Sequence, residues 1–422
     1  MITRPKGTKD VVPSEVYKYQ YFEKVAKEVL ARFNFKEIRT PTFEHTELFV
    51  RGVGEGSDIV NKEMYTFKDK GDRSLTLKPE GTASIARAVI ENGLDGEAMP
   101  LKLYSYTSCF RYERPQSGRF REHHQFSIEA YGSVEPTIDV EVMLMVKTVF
   151  DELNFKNYKL NINSIGCSEC RQVYIEKLKQ YYSGHVNELC EDCKVRLEKN
   201  PLRLLDCKNE NCIKLKANAP KPIDFLCDDC RAHFNSVMNL LKASNVEFVV
   251  NPCLVRGLDY YTRTVFEFMT TEEGALGTIC GGGRYDGLIS GLGGKNLSGV
   301  GVGLGEERIL MLLEKNNIEI PNENQLDIFV CSTDEEKIGA VLNIVTKLRN
   351  NGISADFDQC ARSLKAQMKF ANKIAAKFIM VIGEDELKTN VAQIKNMQTG
   401  ETKSVNLNEI KNINKEILYG KN

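Results

Sequence analysis

The sequence predicts a large α+β unit, a helical cysteine-rich insertion within it, and a C-terminal α/β unit with a βαβαβ core. Three observations carry the prediction. Two extended stretches, 103–111 and 124–131, flank an arginine-rich turn, and Gln125, Ser127 and Glu129 alternate with apolar residues so that they share one strand face. Eight cysteines crowd between Cys167 and Cys230 in text that is otherwise helical. Beyond residue 325, short apolar stretches at 326–331, 353–357 and 378–383 alternate with helical ones near 334–350 and 362–377, the pattern of a parallel sheet with crossover helices.

Composition sets the outer limits. A chain of 422 residues is too long for one core and suits two or three domains. With 42% hydrophobic and 27% charged residues it has an ordinary soluble composition. Neither a membrane-spanning run nor the apolar core of a signal peptide is visible, so a cytoplasmic protein is expected. A formal net charge of -1 requires any nucleic-acid contact to come from local patches. In such a compartment the 13 cysteines indicate metal ligation or reduced thiols before disulfides.

Taken in order, the chain opens with turn-rich text from Pro5 to Asp10 and a helix in which Tyr17, Tyr21, Val25, Val29 and Leu30 share a face. An extended segment, 37–44, follows with Pro41 inside it, as edge strands allow. Residues 75–79 form a strand that turns through Glu80, Gly81 and Thr82 into an apolar-periodic helix. Thr82 is placed to cap that helix, and Glu80 stands where a carboxylate can pair with an ammonium group. In the turn between the two extended stretches, Arg111, Arg114, Arg119 and Arg121 surround Pro115 and Gly118, offering several guanidinium forks to a polyanion. A helix at 135–153 and a strand at 158–163 lead to the insertion.

The insertion holds the pairs Cys167/Cys170, Cys190/Cys193, Cys207/Cys212 and Cys227/Cys230, and three of these have the C-x-x-C spacing that lets two thiolates grip one zinc ion. Structural zinc and buried free thiols are both open readings, with Cys190, Cys193, Cys227 and Cys230 the first candidates for ligands. No accompanying carboxylate and histidine set suggests a catalytic metal. After it come Arg256-Gly-Leu-Asp-Tyr-Tyr261, the glycine-rich Cys280-Gly-Gly-Gly-Arg284-Tyr285, and a glycine-bearing strand, 298–305, running into a helix with Arg308. A dinucleotide-binding turn would need a second strand and a ribose-binding acid that do not follow. Polar residues 316–325, with Pro321, read as a linker. In the C-terminal unit Arg362, Lys365, Lys369, Lys373 and Lys377 fall in a helical arc of roughly 120° opposite Leu364, Met368, Ala371 and Ala375, either a solvated face or a phosphate-contacting one.

These stretches resemble the motifs of class II aminoacyl-tRNA synthetases, and in detail those of the histidyl-tRNA synthetases. Phe110-Arg111-Tyr-Glu-Arg114-Pro-Gln116 resembles motif 2, the text from Ser298 to Arg308 motif 3, and the first helix with its proline-bearing strand motif 1. The two sequences beginning at Arg256 and Cys280 are similar to the family's histidine signatures. The resemblance implies a class II synthetase-like, mostly antiparallel sheet, divided as 1–166 and 246–318 for the catalytic domain, 167–245 for the insertion and 326–422 for an anticodon-binding domain. It implies a homodimeric ligase that joins L-histidine to ATP, with Mg²⁺, as histidyl-adenylate and then charges tRNA(His).

By the same resemblance Arg111 and Arg256 are catalytic, and Arg111, Arg119, Arg121 and Arg308 bind ATP. Glu80, Gly81, Thr82, Gln125, Glu129, Tyr260 and Tyr261 bind histidine. The family reads an extra guanosine at the 5′ end of its tRNA, and Arg114 and Gln116 at the loop tip are suited to it. Asp259 is placed to orient Arg256, and His123 and Ser127 depart from the residues common at their positions. The alternative is the family's non-catalytic paralogue, a regulatory subunit of ATP phosphoribosyltransferase. That paralogue generally lacks the C-terminal domain and loses synthetase residues, whereas this chain has the domain and Arg111, Gln125, Glu129 and Arg256.

Overall fold

The alternation read at 124–131 lies on a central strand of an eight-stranded sheet, and the two faces of that sheet have opposite characters. The computed structural model describes every residue except 55, 117, 273–276, 323–324, 414–417 and 420–422. It divides into two units, Met1–Ile320 and Pro321–Asn422. In the first unit the strands are β1 (Lys36–Glu37), β2 (Phe43–His45), β3 (Tyr65–Lys68), β4 (Ser74–Leu77), β5 (Leu101–Phe110), β6 (Glu122–Tyr131), β7 (Tyr158–Ser164), β8 (Val249–Val250), β9 (Thr262–Thr270), β10 (Thr278–Tyr285) and β11 (Gly299–Gly305). The large sheet has the order β1-β5-β6-β11-β10-β9-β7-β8, and β2-β4-β3 form a small one. Within the large sheet only the edge pairs β1–β5 and β7–β8 are parallel, so the sheet is mostly antiparallel.

One face of the large sheet is the core. Phe126 and Ile128 on β6, Val300 and Val302 on β11, Phe266 and Phe268 on β9 and Leu160 and Ile162 on β7 pack together with the helices Pro13–Arg32, Pro136–Glu152 and Glu306–Lys315. Each such side chain contributes about 1.5–3 kcal/mol of burial. Both longer helices begin with proline, where the missing N–H costs no hydrogen bond. The single extended segment read at 37–44 is two strands: the chain leaves the large sheet after β1, passes Pro41, and enters the small sheet as β2.

Arg284 and Asp139 make a buried ion pair, 1% and 0% exposed. The guanidinium Nε lies 3.2 Å from both carboxylate oxygens, and its Nη groups donate to the carbonyls of Ser133 (2.9 Å) and Glu135 (3.0 Å), with His233 Nε2 3.5 Å from Asp139. The pair fastens β10 to the helix Pro136–Glu152, and removing one partner would cost about 3–5 kcal/mol.

The cysteine-rich stretch is helical: Ser168–Ser183, Glu191–Lys199, Glu210–Asn218 and Asp228–Ala243. Its cysteines form two groups of four, each able to hold a metal ion. The two pairs singled out in the sequence fall in different groups. Cys167 and Cys170 join Cys227 and Cys230, whereas Cys190 and Cys193 join Cys207 and Cys212. Close spacing identifies a pair, but only the packing of the helices decides which pairs meet.

The second unit has β12 (Ile328–Ser332), β13 (Ala355–Phe357), β14 (Phe378–Ile382), β15 (Val391–Asn396) and β16 (Thr402–Asn406) in the order β13-β12-β14-β15-β16. The first three are parallel, as the βαβαβ reading requires, and an antiparallel hairpin, β15–β16, extends them. The sequence reading missed this hairpin because its strands carry Gln393, Lys395, Thr402 and Ser404 on the open face. The basic helix is also shorter than read, Leu364–Lys373. Arg362 precedes it, paired with Asp358 at 2.6 Å and stacked on Phe370, and Lys377 follows it, 3.7 Å from Asp327. Ala375 lies beyond the helix and Met368 is exposed, so the inner side is made by Gln367 and Ala371. The exposed basic stripe is therefore Lys365, Lys369 and Lys373.

Candidate active site

The second face of the large sheet is polar because its strands alternate in phase. Cross-strand register puts Gln125, Ser127 and Glu129 of β6 opposite Gly305, Gly303 and Gly301 of β11, and Gly303 and Gly301 opposite Gly281 and Gly283 of β10. Two strands of glycine leave a floor on which neighbouring side chains lie flat. A Cβ on Gly301 would collide with Glu129 Oε2, and one on Gly281 would come within 2.5 Å of Arg256 Nη1.

Above this floor is a cavity of about 770 Å³ lined by Glu80, Thr82, Arg111, Arg119, Gln125, Arg256, Tyr260, Tyr261 and Arg308, among others. Glu129 is not itself among the lining residues; it is fully buried behind one of them, Thr82. It accepts from Thr82 Oγ1 at 2.6 Å and from the Tyr285 hydroxyl, while Tyr260 packs edge-on to Tyr285 at 5.3 Å and against Tyr261 at 4.7 Å. Burial, with Glu80 nearby, pushes the Glu129 pKa up to about 8 against the lowering effect of its two hydroxyl donors. A carboxyl group held among three tyrosines suits a partner that is planar and donates a hydrogen bond.

Glu80 is also buried, and burial raises its pKa. Its carboxylate accepts from the backbone N–H groups of Thr82 and Ala83, both at 2.8 Å. The helix Thr82–Glu91 therefore receives its N-terminal cap from Glu80, while Gly81 occupies the cap position and Thr82 is the first helical residue. Thr82, read as the cap, gives its hydroxyl to Glu129 instead. Gln125 is held by Ser127 Oγ at 2.9 Å.

Four arginines behave differently from one another. Arg111 is fixed by Nε donating to the Pro79 carbonyl at 2.8 Å, and Arg308 by the Gly118 carbonyl at 3.1 Å. Arg119 lines the cavity and pairs with Glu113 at 3.2 Å. Arg121 is not among the lining residues: its guanidinium stacks on Tyr112 at 3.9 Å and donates to the Glu113 carbonyl. Arg114 and Gln116 stand exposed at the loop tip, where Gln116 and Arg119 make an isolated bridge. His123 lines the cavity as a neutral ring, its pKa pushed down to about 3 by burial and then by Arg111.

Arg256 does not pair with Asp259. Its Nη1 meets the Glu267 carboxylate, which also accepts from Thr278 Oγ1 at 3.1 Å. Burial works against the charged guanidinium, but Glu267, Tyr261 and Tyr260 together outweigh it and hold the Arg256 pKa above its usual value. Asp259 accepts from Asn200 Nδ2 at 2.6 Å. Glu267 and Tyr285 are thus the supporting residues that sequence reasoning passed over. For Tyr285 the signal was present, since Gly281, Gly283 and Tyr285 share a strand face.

A mostly antiparallel sheet carrying a motif 2-like hairpin, a motif 3-like strand and helix, and an arginine-lined cavity between them defines a catalytic unit of the class II aminoacyl-tRNA synthetases. The profile described as Histidyl-tRNA synthetase matches residues 7–309, and that described as Anticodon binding domain matches 325–417. The chain is 51% identical to the histidine–tRNA ligase of Caldanaerobacter subterraneus subsp. tengcongensis over 97% of its own length and 99% of the relative's. Against that of Clostridium novyi it is 50% identical, with 99% of each covered. The crystal structure of apo S. aureus histidyl-tRNA synthetase superposes with a TM-score of 0.83 at 39% identity, covering 98% of this chain and 99% of that one. The chain belongs to the histidyl-tRNA synthetase family.

Proposed function

We propose that the cavity joins L-histidine and MgATP into histidyl-adenylate, releasing pyrophosphate, and then passes the histidyl group to the terminal ribose hydroxyl of tRNA(His) with loss of AMP. The observation that carries this reading is the geometry around Glu129, a buried carboxyl group bonded to Tyr285 and to Thr82 of an arginine-lined cavity, with Tyr260 of that cavity packed on Tyr285. Near-full-length identity to histidine–tRNA ligases supports the ligase and not the regulatory-subunit alternative.

Glu129 accepts the imidazole N–H, with Tyr260 and Tyr261 walling the ring. Glu80, Gly81, Thr82 and Gln125 form the ammonium end. Because both Glu80 oxygens already cap a helix, its charge acts on the ammonium through that fixed carboxylate. The histidine carboxylate attacks the α-phosphorus of ATP without needing a base. The protein supplies alignment and charge: Arg111 and Arg256 at the α-phosphate, Arg119 and Arg308 toward the outer phosphates and adenine. Arg121 supports the loop from Tyr112. Histidine-dependent pyrophosphate exchange tests the assignment, and exchange driven by another amino acid in its place would overturn it.

Arg114 and Gln116 read the acceptor end of the tRNA, since both are exposed at the hairpin tip and have donors for a guanine edge. Gln116→Ala is expected to slow aminoacylation about tenfold or more while adenylate formation stays near normal. Equal losses in the two steps would refute the assignment.

The ligase works as a homodimer in the cytoplasm. Phe43 and Phe67 support the dimer: they lie edge to face on the small sheet, 51% and 43% exposed, an apolar patch wanting a partner. Light scattering should give twice the mass of one chain. No helix among the described residues is long and apolar enough to cross a membrane. The second unit binds the anticodon arm, with Lys365, Lys369 and Lys373 as phosphate contacts. Structural Zn²⁺ occupies the cysteine-rich segment.

A further inference from the structure

The two cysteine groups stand directly behind residues that grip the histidine-recognition loop. In each group the sulfurs lie within 4.8 Å of one another. Cys167 and Cys170 Sγ are 3.5 Å apart and Cys190 and Cys207 Sγ 3.8 Å. Tetrahedral zinc with thiolate bonds of about 2.3 Å sets its sulfurs about 3.8 Å apart, whereas a disulfide needs about 2.05 Å. Cys167, Cys190 and Cys227 each occupy the N-cap of a helix, with the second cysteine of the pair in its first turn. Backbone N–H groups point at the sulfurs, from Cys227 to Cys170 (3.1 Å), Cys190 to Cys212 (3.4 Å) and Asn209 to Cys207 (3.5 Å). Such donors and the positive helix ends stabilise thiolates.

From each group a side chain reaches the loop 254–261. Arg171, next to Cys170, donates to the carbonyls of Asp259 (3.2 Å) and Tyr261. Asn200 lies on the stretch bracketed by Cys193 and Cys207 and donates to Asp259 Oδ1 at 2.6 Å. On the same stretch Arg203 pairs with Asp58 at 3.1 Å, and a Cβ on Gly257 would come within 2.9 Å of its Nη1. Resting on the zinc reading above, we propose that one Zn²⁺ is held by Cys167, Cys170, Cys227 and Cys230 and a second by Cys190, Cys193, Cys207 and Cys212. Together the two ions clamp the histidine-recognition loop through the positioning residues Arg171 and Asn200. The two ions act together with the apolar packing of Tyr174, Leu178, Leu197 and Leu204 to fix the two grips.

Full-length protein purified without chelator should contain two zinc ions per chain by elemental analysis, and Cys212→Ser and Cys230→Ser should each keep one. Less than about a tenth of an equivalent in the unmodified protein would remove the zinc reading, and a single equivalent would remove the two-site assignment. Arg171→Ala and Asn200→Ala leave all eight thiols in place. Each should keep two zinc ions and raise KM for histidine about tenfold, with KM for ATP unchanged to within about twofold. Full zinc with an unaltered histidine KM in both variants would overturn the clamp alone. Absence of histidine-dependent exchange in the unmodified protein would instead count against the ligase reading.

Discussion

Replacing Arg256 by alanine is expected to cut histidyl-adenylate formation by about 10²- to 10³-fold, while histidine binding changes by no more than about a few-fold. The guanidinium lies over Gly281 on the glycine floor and is held by Glu267, which Thr278 steadies in turn. It is therefore fixed before substrate arrives, so it can stabilise the extra negative charge on a five-coordinate phosphorus without reorganising. Arg256→Lys should restore little, because a single ammonium cannot serve Glu267 and a phosphate in the planar arrangement that the guanidinium offers. If Arg256 only neutralised Glu267, the alanine variant would lose thermal stability but keep near-normal pyrophosphate exchange. That result would sink the catalytic assignment.

Glu129→Gln should raise KM for histidine by about 10- to 100-fold and leave KM for ATP nearly unchanged, because a buried imidazole N–H left poorly paired costs about 1–3 kcal/mol. The same variant tests the buried carboxyl group's titration. Burial moves its pKa from 4.5 up to about 8, so over that interval the folded protein keeps a proton that the unfolded chain has lost. Folded stability without histidine should therefore fall as pH rises through this window and level off above it. Glu306, also raised to about 8 by burial, adds a slope of the same sign. The wild-type minus Glu129→Gln difference in urea midpoint isolates the Glu129 part, and a flat difference from pH 5 to pH 9 would refute it.

Much of the site was legible because its chemistry is local in sequence. The alternation of Gln125, Ser127 and Glu129 declares a polar strand face at sight, and the four arginines around Pro115 and Gly118 declare a cationic turn, two of whose members, Arg111 and Arg119, line the cavity. Pairings between distant segments were not legible. Asp259, three residues from Arg256, is the obvious partner on paper, yet Asn200 takes it and Arg256 goes across to Glu267. Thr82 has the chemistry of a cap, but Glu80 reaches the same N–H groups and frees the Thr82 hydroxyl for Glu129. Arg121 and Arg119 look alike in the sequence, and the ring of Tyr112 separates them.

The sequence by itself determined the α+β unit, the parallel core of the second unit, the cysteine pairs and the family, since periodicity, spacing and contiguous motifs are properties of neighbouring residues. Only the tertiary structure decided that Tyr285 meets Glu129 across an intervening glycine strand, that the cysteine pairs divide as they do, and that Arg171 and Asn200 hold Asp259 from two helical segments. The reason is that hydrogen bonds and ion pairs depend on distances of a few ångströms between atoms. Strand register and helix packing set those distances across separations of tens to hundreds of residues, where no local pattern records them.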